Sequence, residues 1–253
     1  MKVKLFSAFI AALLLMLLTA YTCKQAGSKK NNGQSSQPID PCTESQATSN
    51  KATIFSQSNI YSTARANIKN AFNRDSLEHA ISFGKDVNGN IINSAMSTGS
   101  GHSSGLEKVT NMFADIHNHS KETPPSSGDL YGFINMATEY RLYETRYIVT
   151  ANGFVYAFVI IDLQTASNFV IKYPKVSNPG YQPGFPDSLV DEFNELKGVY
   201  AASDEMAMAF ILEKYNVGVA LLKQDNHGSF KRLNTKEITY SNGLKKYVAN
   251  NCQ

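Results

Sequence analysis

The chain of 253 residues carries 24 Lys and Arg against 21 Asp and Glu, a formal charge of +3, with 42% hydrophobic residues. Charge this close to balance leaves no electrostatic footprint for nucleic acid, so no nucleic-acid partner is expected. The length suffices for one domain of ordinary size behind a leader.

The N-terminus reads as an export signal. Lys2 and Lys4 give a positive start, and residues 5–20 are apolar apart from Ser7 and Thr19. A spanning helix needs ~20 apolar residues, so this run is marginal for one. Cys23 follows after Ala20-Tyr21-Thr22. That arrangement resembles a bacterial lipoprotein signal of the looser Bacteroidetes type. The resemblance implies a signal peptide over 1–22 and a lipid on Cys23. It also implies attachment to a membrane of the cell envelope: an outer-membrane protein, periplasmic or surface-exposed. Ordinary cleavage near Ala20 and an uncleaved anchor are the alternatives. Loss of 1–22 removes Lys2 and Lys4, leaving 22 basic against 21 acidic residues and a net charge of +1.

Residues 24–58 are rich in Ser, Gln, Lys, Asn and Thr and offer almost nothing apolar to bury. Such a composition does not offset chain entropy, so 23–58 is predicted to be a lipidated N-terminus and flexible tether. The domain is then 59–253. With Cys23 assigned to lipid, Cys42 and Cys252 remain. In an oxidising compartment they form one disulfide, or stay as two unpaired thiols.

Within the domain, 64–72 reads as a short helix. Leu77, His79, Ile81 and Phe83 alternate with Glu78, Ala80 and Ser82, the period of a strand. Asn88-Gly89 marks a hairpin turn, 98–105 a Gly- and Ser-rich loop, and 111–117 a short buried strand. Pro124-Pro125 precedes a helix over 126–141. Tyr147-Ile148-Val149, Asn152-Gly153 and 154–161 form the clearest hairpin. A Pro- and Gly-rich stretch over 173–186 is followed by helices near 188–196 and 204–215. Strands near 217–222 and 230–233 close the chain. The expected class is α+β: a single domain whose mixed, largely antiparallel sheet is flanked by helices.

The chemistry concentrates in His117-Asn118-His119 and Ser126-Ser127-Gly128-Asp129. Histidines at i and i+2 on a strand point the same way, so both imidazoles can reach one ion. Asp129, in the first turn of a helix returning over the strand end, can supply a third ligand. Two His and one carboxylate with an open fourth position is the pattern of a catalytic zinc. A second reading competes: Ser126-x-x-Asp129 is also a plain helix-capping pattern.

The order His-x-His then Ser-x-x-Asp resembles the motif of the JAMM (MPN+) zinc metallopeptidases, over a core motif region of 77–161. Ser120 stands where the family has Pro, and the interval from His119 to Asp129 is slightly shorter. The resemblance implies a JAMM/MPN-like core with zinc on His117, His119 and Asp129. It also implies an upstream glutamate as base, for which Glu78 is the first candidate and Glu107 the second. Ser126 would support the oxyanion, and the substrate would be a peptide or isopeptide. The alternative is a non-catalytic surface lipoprotein that uses such a fold for binding. Of the other histidines, His79 reads as a core residue, His102 as exposed in the Gly-rich loop or else bordering the site, and His227 as a turn residue. Oligomeric state and the role of 162–253 have no sequence signal.

Overall fold

The computed structural model describes residues 41–99, 105–177 and 184–250. The described residues form one compact unit. Helices α1 (Pro41–Ser56) and α2 (Asn59–Asp75) come first, followed by strands β1 (His79–Lys85), β2 (Ile91–Asn93), β3 (Ser97–Thr98) and β4 (Ala114–Asn118). Helix α3 (Ser127–Glu139) then leads to β5 (Thr145–Val149), β6 (Val155–Ile160) and α4 (Leu163–Lys172). The last part holds α5 (Asp187–Gly198), α6 (Asp204–Lys214), β7 (Val219–Gln224), β8 (Phe230–Arg232), β9 (Thr235–Thr239) and β10 (Lys245–Ala249). The expected α+β single domain is what the chain adopts.

The main sheet runs β2-β1-β4-β5-β6-β7-β8, with β3 pairing β1 off that path, and β9 and β10 make a separate hairpin. Every pairing in the main sheet is antiparallel except β4 with β5. Parallel neighbours need a crossover, and α3 supplies it. Side chains alternate across the sheet and build two cores. Ile81, Phe83, Ile116, Tyr147, Ala157 and Leu222 pack with Ala52 of α1 and Tyr61 and Ile68 of α2. On the other face, Ile148, Tyr156, Phe158 and Leu221 pack against Leu130, Phe133 and Ile134 of α3, Phe169 of α4 and Ile211 of α6.

One expectation needs correcting. The predicted tether over 23–58 is too long, because α1 occupies its last part. Ala52, Thr48 and Ser49 are buried, and Phe55 lies edge-on to Phe83 at 4.9 Å and Phe113 at 5.1 Å. The Ala52 carbonyl accepts from the Tyr147 hydroxyl at 3.0 Å, and Thr53 Oγ1 accepts from the Phe230 N–H at 2.8 Å. Small side chains let the helix approach the sheet closely, so it packs with few large apolar residues. The predicted short helix over 64–72 is likewise the centre of a longer one, α2. Helix α4 and the β9–β10 hairpin were not foreseen.

Both hairpin signals fall where glycine's freedom is used: Gly89 has φ +83° and Gly153 φ +88°. Cys23, His102 and Cys252 lie outside the described residues, and of Cys42 only the backbone, in α1, is described. No helix among the described residues is long and apolar enough to cross a membrane.

Candidate metal centre

The β4 strand alternates Ala114 and Ile116 toward α1 and α2 with Asp115 and His117 toward α3, and His119 continues the second row. The turn after β4 then folds back so that α3 begins over the strand end. Ser126 is its N-cap and Asp129 its third helical residue, joined in a full capping box. The result brings His117, His119 and Asp129 together, all three buried, with their ligand atoms within 4.8 Å of one another. This group could hold a metal ion.

The two imidazoles face the Asp129 carboxylate from either side. His117 Nε2 lies 3.3 Å from Asp129 Oδ1 and His119 Nε2 lies 3.1 Å from Asp129 Oδ2. The His119 ring is held from behind: its Nδ1 donates to the Thr123 carbonyl at 2.8 Å. A carbonyl only accepts, so Nδ1 carries the proton and Nε2 is the nitrogen turned to the ion position. Thr123 had no signal in the sequence: its shorter contact is through the backbone carbonyl, with its Oγ1 3.4 Å from the same Nδ1.

Asp129 is fixed from several sides. Its Oδ2 accepts from the Ser126 N–H and hydroxyl, each at 2.7 Å, while its own N–H donates to Ser126 Oγ at 3.1 Å. Ser126 thus sits in direct contact with the carboxylate, with its hydroxyl proton directed at Asp129. Burial pushes the Asp129 carboxyl upward, but hydrogen bonds from His117 and His119 and their charges overcome it and hold the group well below its usual range. Burial also pulls the His119 ring downward. Asp129 and the Thr123 carbonyl outweigh that, so the net shift is upward.

Glu78 stands beside this group. It precedes β1 by one residue, is 7% exposed, and has the parity opposite to Ile81 and Phe83. Ala80 pairs with His117, so the continued register brings Glu78 level with His119. Burial raises its carboxyl above the ordinary value, opposed by the His117 and His119 charges and by the Ser120 N–H that its carboxylate accepts. Glu107 is exposed. Of the two glutamates expected from the sequence, Glu78 is the one at the centre.

Behind His117, His119 and Asp129 lies a buried ion pair that no motif announces. Arg146 Nη2 is 2.9 Å from Asp115 Oδ2, the Tyr143 hydroxyl also donates to Asp115, and Arg146 Nη1 donates to the Asp129 carbonyl at 3.2 Å. Asp115, two residues ahead of His117 in the same row, was the available signal. Among the described residues, the other two histidines stay apart from the centre. His79 is buried with its ring satisfied by Thr98 at 3.1 Å and Asp75 at 2.9 Å, and His227 lies in the turn closed by Gly228 onto Asp225. In comparisons with known proteins, no family model, no curated protein and no solved structure matches this chain.

Proposed function

We propose that the domain is a zinc-dependent hydrolase of amide bonds, acting on a peptide or isopeptide and held at the cell envelope through a lipid on Cys23. The observation that carries this reading is the convergence of His117, His119 and Asp129 beside the buried carboxyl of Glu78. Two imidazoles and a carboxylate that leave one position open form the donor set of catalytic rather than structural zinc. The likeness to the JAMM motif supports the same reading from sequence order.

His117 and His119, through Nε2, and Asp129 would hold the ion. When bound, zinc supplies a Lewis acid that polarises a carbonyl and makes water nucleophilic near neutral pH. Glu78 takes the proton of the attacking water on its carboxylate and returns it to the leaving amine. Its burial favours that role, because a base is most effective with a pKa near the working pH. Ser126 orients Asp129, and its hydroxyl supports the oxyanion by rotating its proton from Oδ2 toward the substrate.

Metal analysis of the chain, purified without a histidine tag, tests the reading. About one zinc per chain is expected, lost in His117→Ala, and absence of bound metal at micromolar zinc sinks it. A second reading, a lipoprotein that binds without catalysis, draws on one observation. The capping box and both histidines already occupy the Asp129 oxygens. It tolerates zero zinc.

A further inference from the structure

We infer that the cleft beside Ser126 receives an apolar side chain of the substrate next to the bond that is cut. The inference rests on the hydrolase reading above. The cleft has a volume of about 330 Å³, within the range of small-ligand pockets. One wall is the 123–127 turn, which also builds the metal centre through the Thr123 carbonyl and the Ser126 hydroxyl. The other wall comes from the C-terminal third: Phe185, Val190 and Phe193 at α5, and Met208 on α6.

Ser126 belongs to both places. It lines the cleft, and its hydroxyl is 2.7 Å from Asp129 Oδ2. The width of one small side chain therefore separates the ion position from an apolar cavity. The two walls are stitched together where Ser127 Oγ accepts from the Phe185 N–H at 3.3 Å.

The lining also says which side chain fits. Asp204 is its one charged residue, and that carboxylate is paired with Lys197 at 2.6 Å. Among the described lining residues, no other charge is present to recognise a basic or acidic group. Val190 is 39% exposed and Phe193 is half-buried, so part of the apolar wall is open to an incoming group. An aliphatic or aromatic side chain gains by covering it, and a charged one loses solvation without a partner. This gives α5 and α6 a role in specificity.

Two hydroxamates that differ only in their tails test the assignment, because the hydroxamate group chelates the metal in both. Acetohydroxamate and 4-phenylbutanohydroxamate are titrated into the zinc-loaded chain by calorimetry. The phenylbutyl compound is expected to bind at least about tenfold more tightly, since burial is worth roughly fourfold per methylene. Val190→Asp, at an exposed rim position, should cancel that gain while zinc content and acetohydroxamate affinity stay unchanged. Phe193→Ala should reduce the gain in the same way. Equal affinities in the parent chain overturn the pocket and leave the zinc reading intact. A gain that survives both substitutions places the tail elsewhere and also overturns it. If the chain holds no zinc, the underlying reading falls and takes the pocket with it.

Discussion

Asn118 clamps the backbone on both sides of Glu78. Its Oδ1 accepts from the His79 N–H at 2.8 Å and its Nδ2 donates to the Leu77 carbonyl at 3.1 Å. Asn118 itself sits on β4 between the two histidines, so the residue that separates the proposed ligands also sets where the proposed base stands. Replacing it by Leu keeps the size and removes both bonds. Zinc content should be unchanged and kcat should fall at least about tenfold, since a base displaced by ~1 Å loses ~10²-fold. The buried His79 N–H left without a partner costs about 1–3 kcal/mol, and the half-buried Leu77 carbonyl less. Metal analysis, a denaturation curve and a rate assay together check this. A stability loss with kcat intact would show that the clamp serves the fold alone.

The proposed ligands and the proposed base should separate cleanly by substitution. Ala at His117, His119 or Asp129 is expected to release zinc. Glu78→Gln should retain it and lose ~10²–10⁴-fold in turnover. Ser126→Ala should retain zinc, lose turnover, and cost ~1 kcal/mol as a missing cap. The role of Glu78 as base is refuted by a Gln variant that turns over normally.

The metal-free and metal-loaded forms should respond to pH in opposite directions. His119 is raised in the folded state, so its contribution is complete below the unfolded value of ~6.5 and is lost as pH rises through the folded one. Asp129 is lowered, so its contribution is present above ~3.9 and is lost as pH falls through the folded value. The metal-free domain should therefore be most stable between those limits. Zinc must displace the His119 Nε2 proton, so its affinity should drop about tenfold per pH unit per proton displaced on the acid side. Thermal melts with and without zinc from about pH 4, near the unperturbed Asp value, to about pH 8, above the unperturbed His value, give the answer. Parallel curves contradict metal binding at this site.

Gly132 lies under Arg146: a Cβ there would stand 2.9 Å from Arg146 Nη1. The guanidinium cannot easily yield, because Asp115 and the Asp129 carbonyl hold it. In an open helix Gly→Ala gains ~1 kcal/mol. Here Gly132→Ala should instead cost about 1–3 kcal/mol, read from urea denaturation. A stabilised variant would mean that the Arg146–Asp115 pair is loosely held.

The proposed envelope anchor has a direct test. Cys23→Ser should abolish incorporation of labelled fatty acid and either free the protein or leave its leader attached. Undiminished labelling removes the lipoprotein assignment.

What the sequence disclosed depended on whether side-chain pattern or close approach did the work. His117 and His119 were readable because a strand repeats every two residues, and Asp129 because a helix start follows Pro124-Pro125. Glu78 was readable from alternation with Ile81 and Phe83. Helix α1 was hidden because Thr48, Ser49 and Ala52 pack by being small, which looks like a polar linker in composition. The Thr123 contact was hidden because it uses a carbonyl, common to every residue. The cleft wall of Phe185, Val190, Phe193 and Met208 was hidden because its relation to Ser126 exists only across the folded chain.

The parallel pairing of β4 with β5 around α3 also bears on the order of events as the chain matures. The proposed ligands all come from one strand-turn-helix stretch, His119 and Asp129 being ten residues apart. Glu78 reaches them only through β1, at the separation of 39 residues that links His79 to Asn118. Closing the longer loop costs about 1 kcal/mol more in chain entropy. An ion can thus be captured while β1 is still undocked, giving a loaded but inert species. Pulsed hydrogen exchange during refolding in zinc would detect it as protection at 114–119 ahead of 79–85. If both segments gain protection together, capture and arming are a single step.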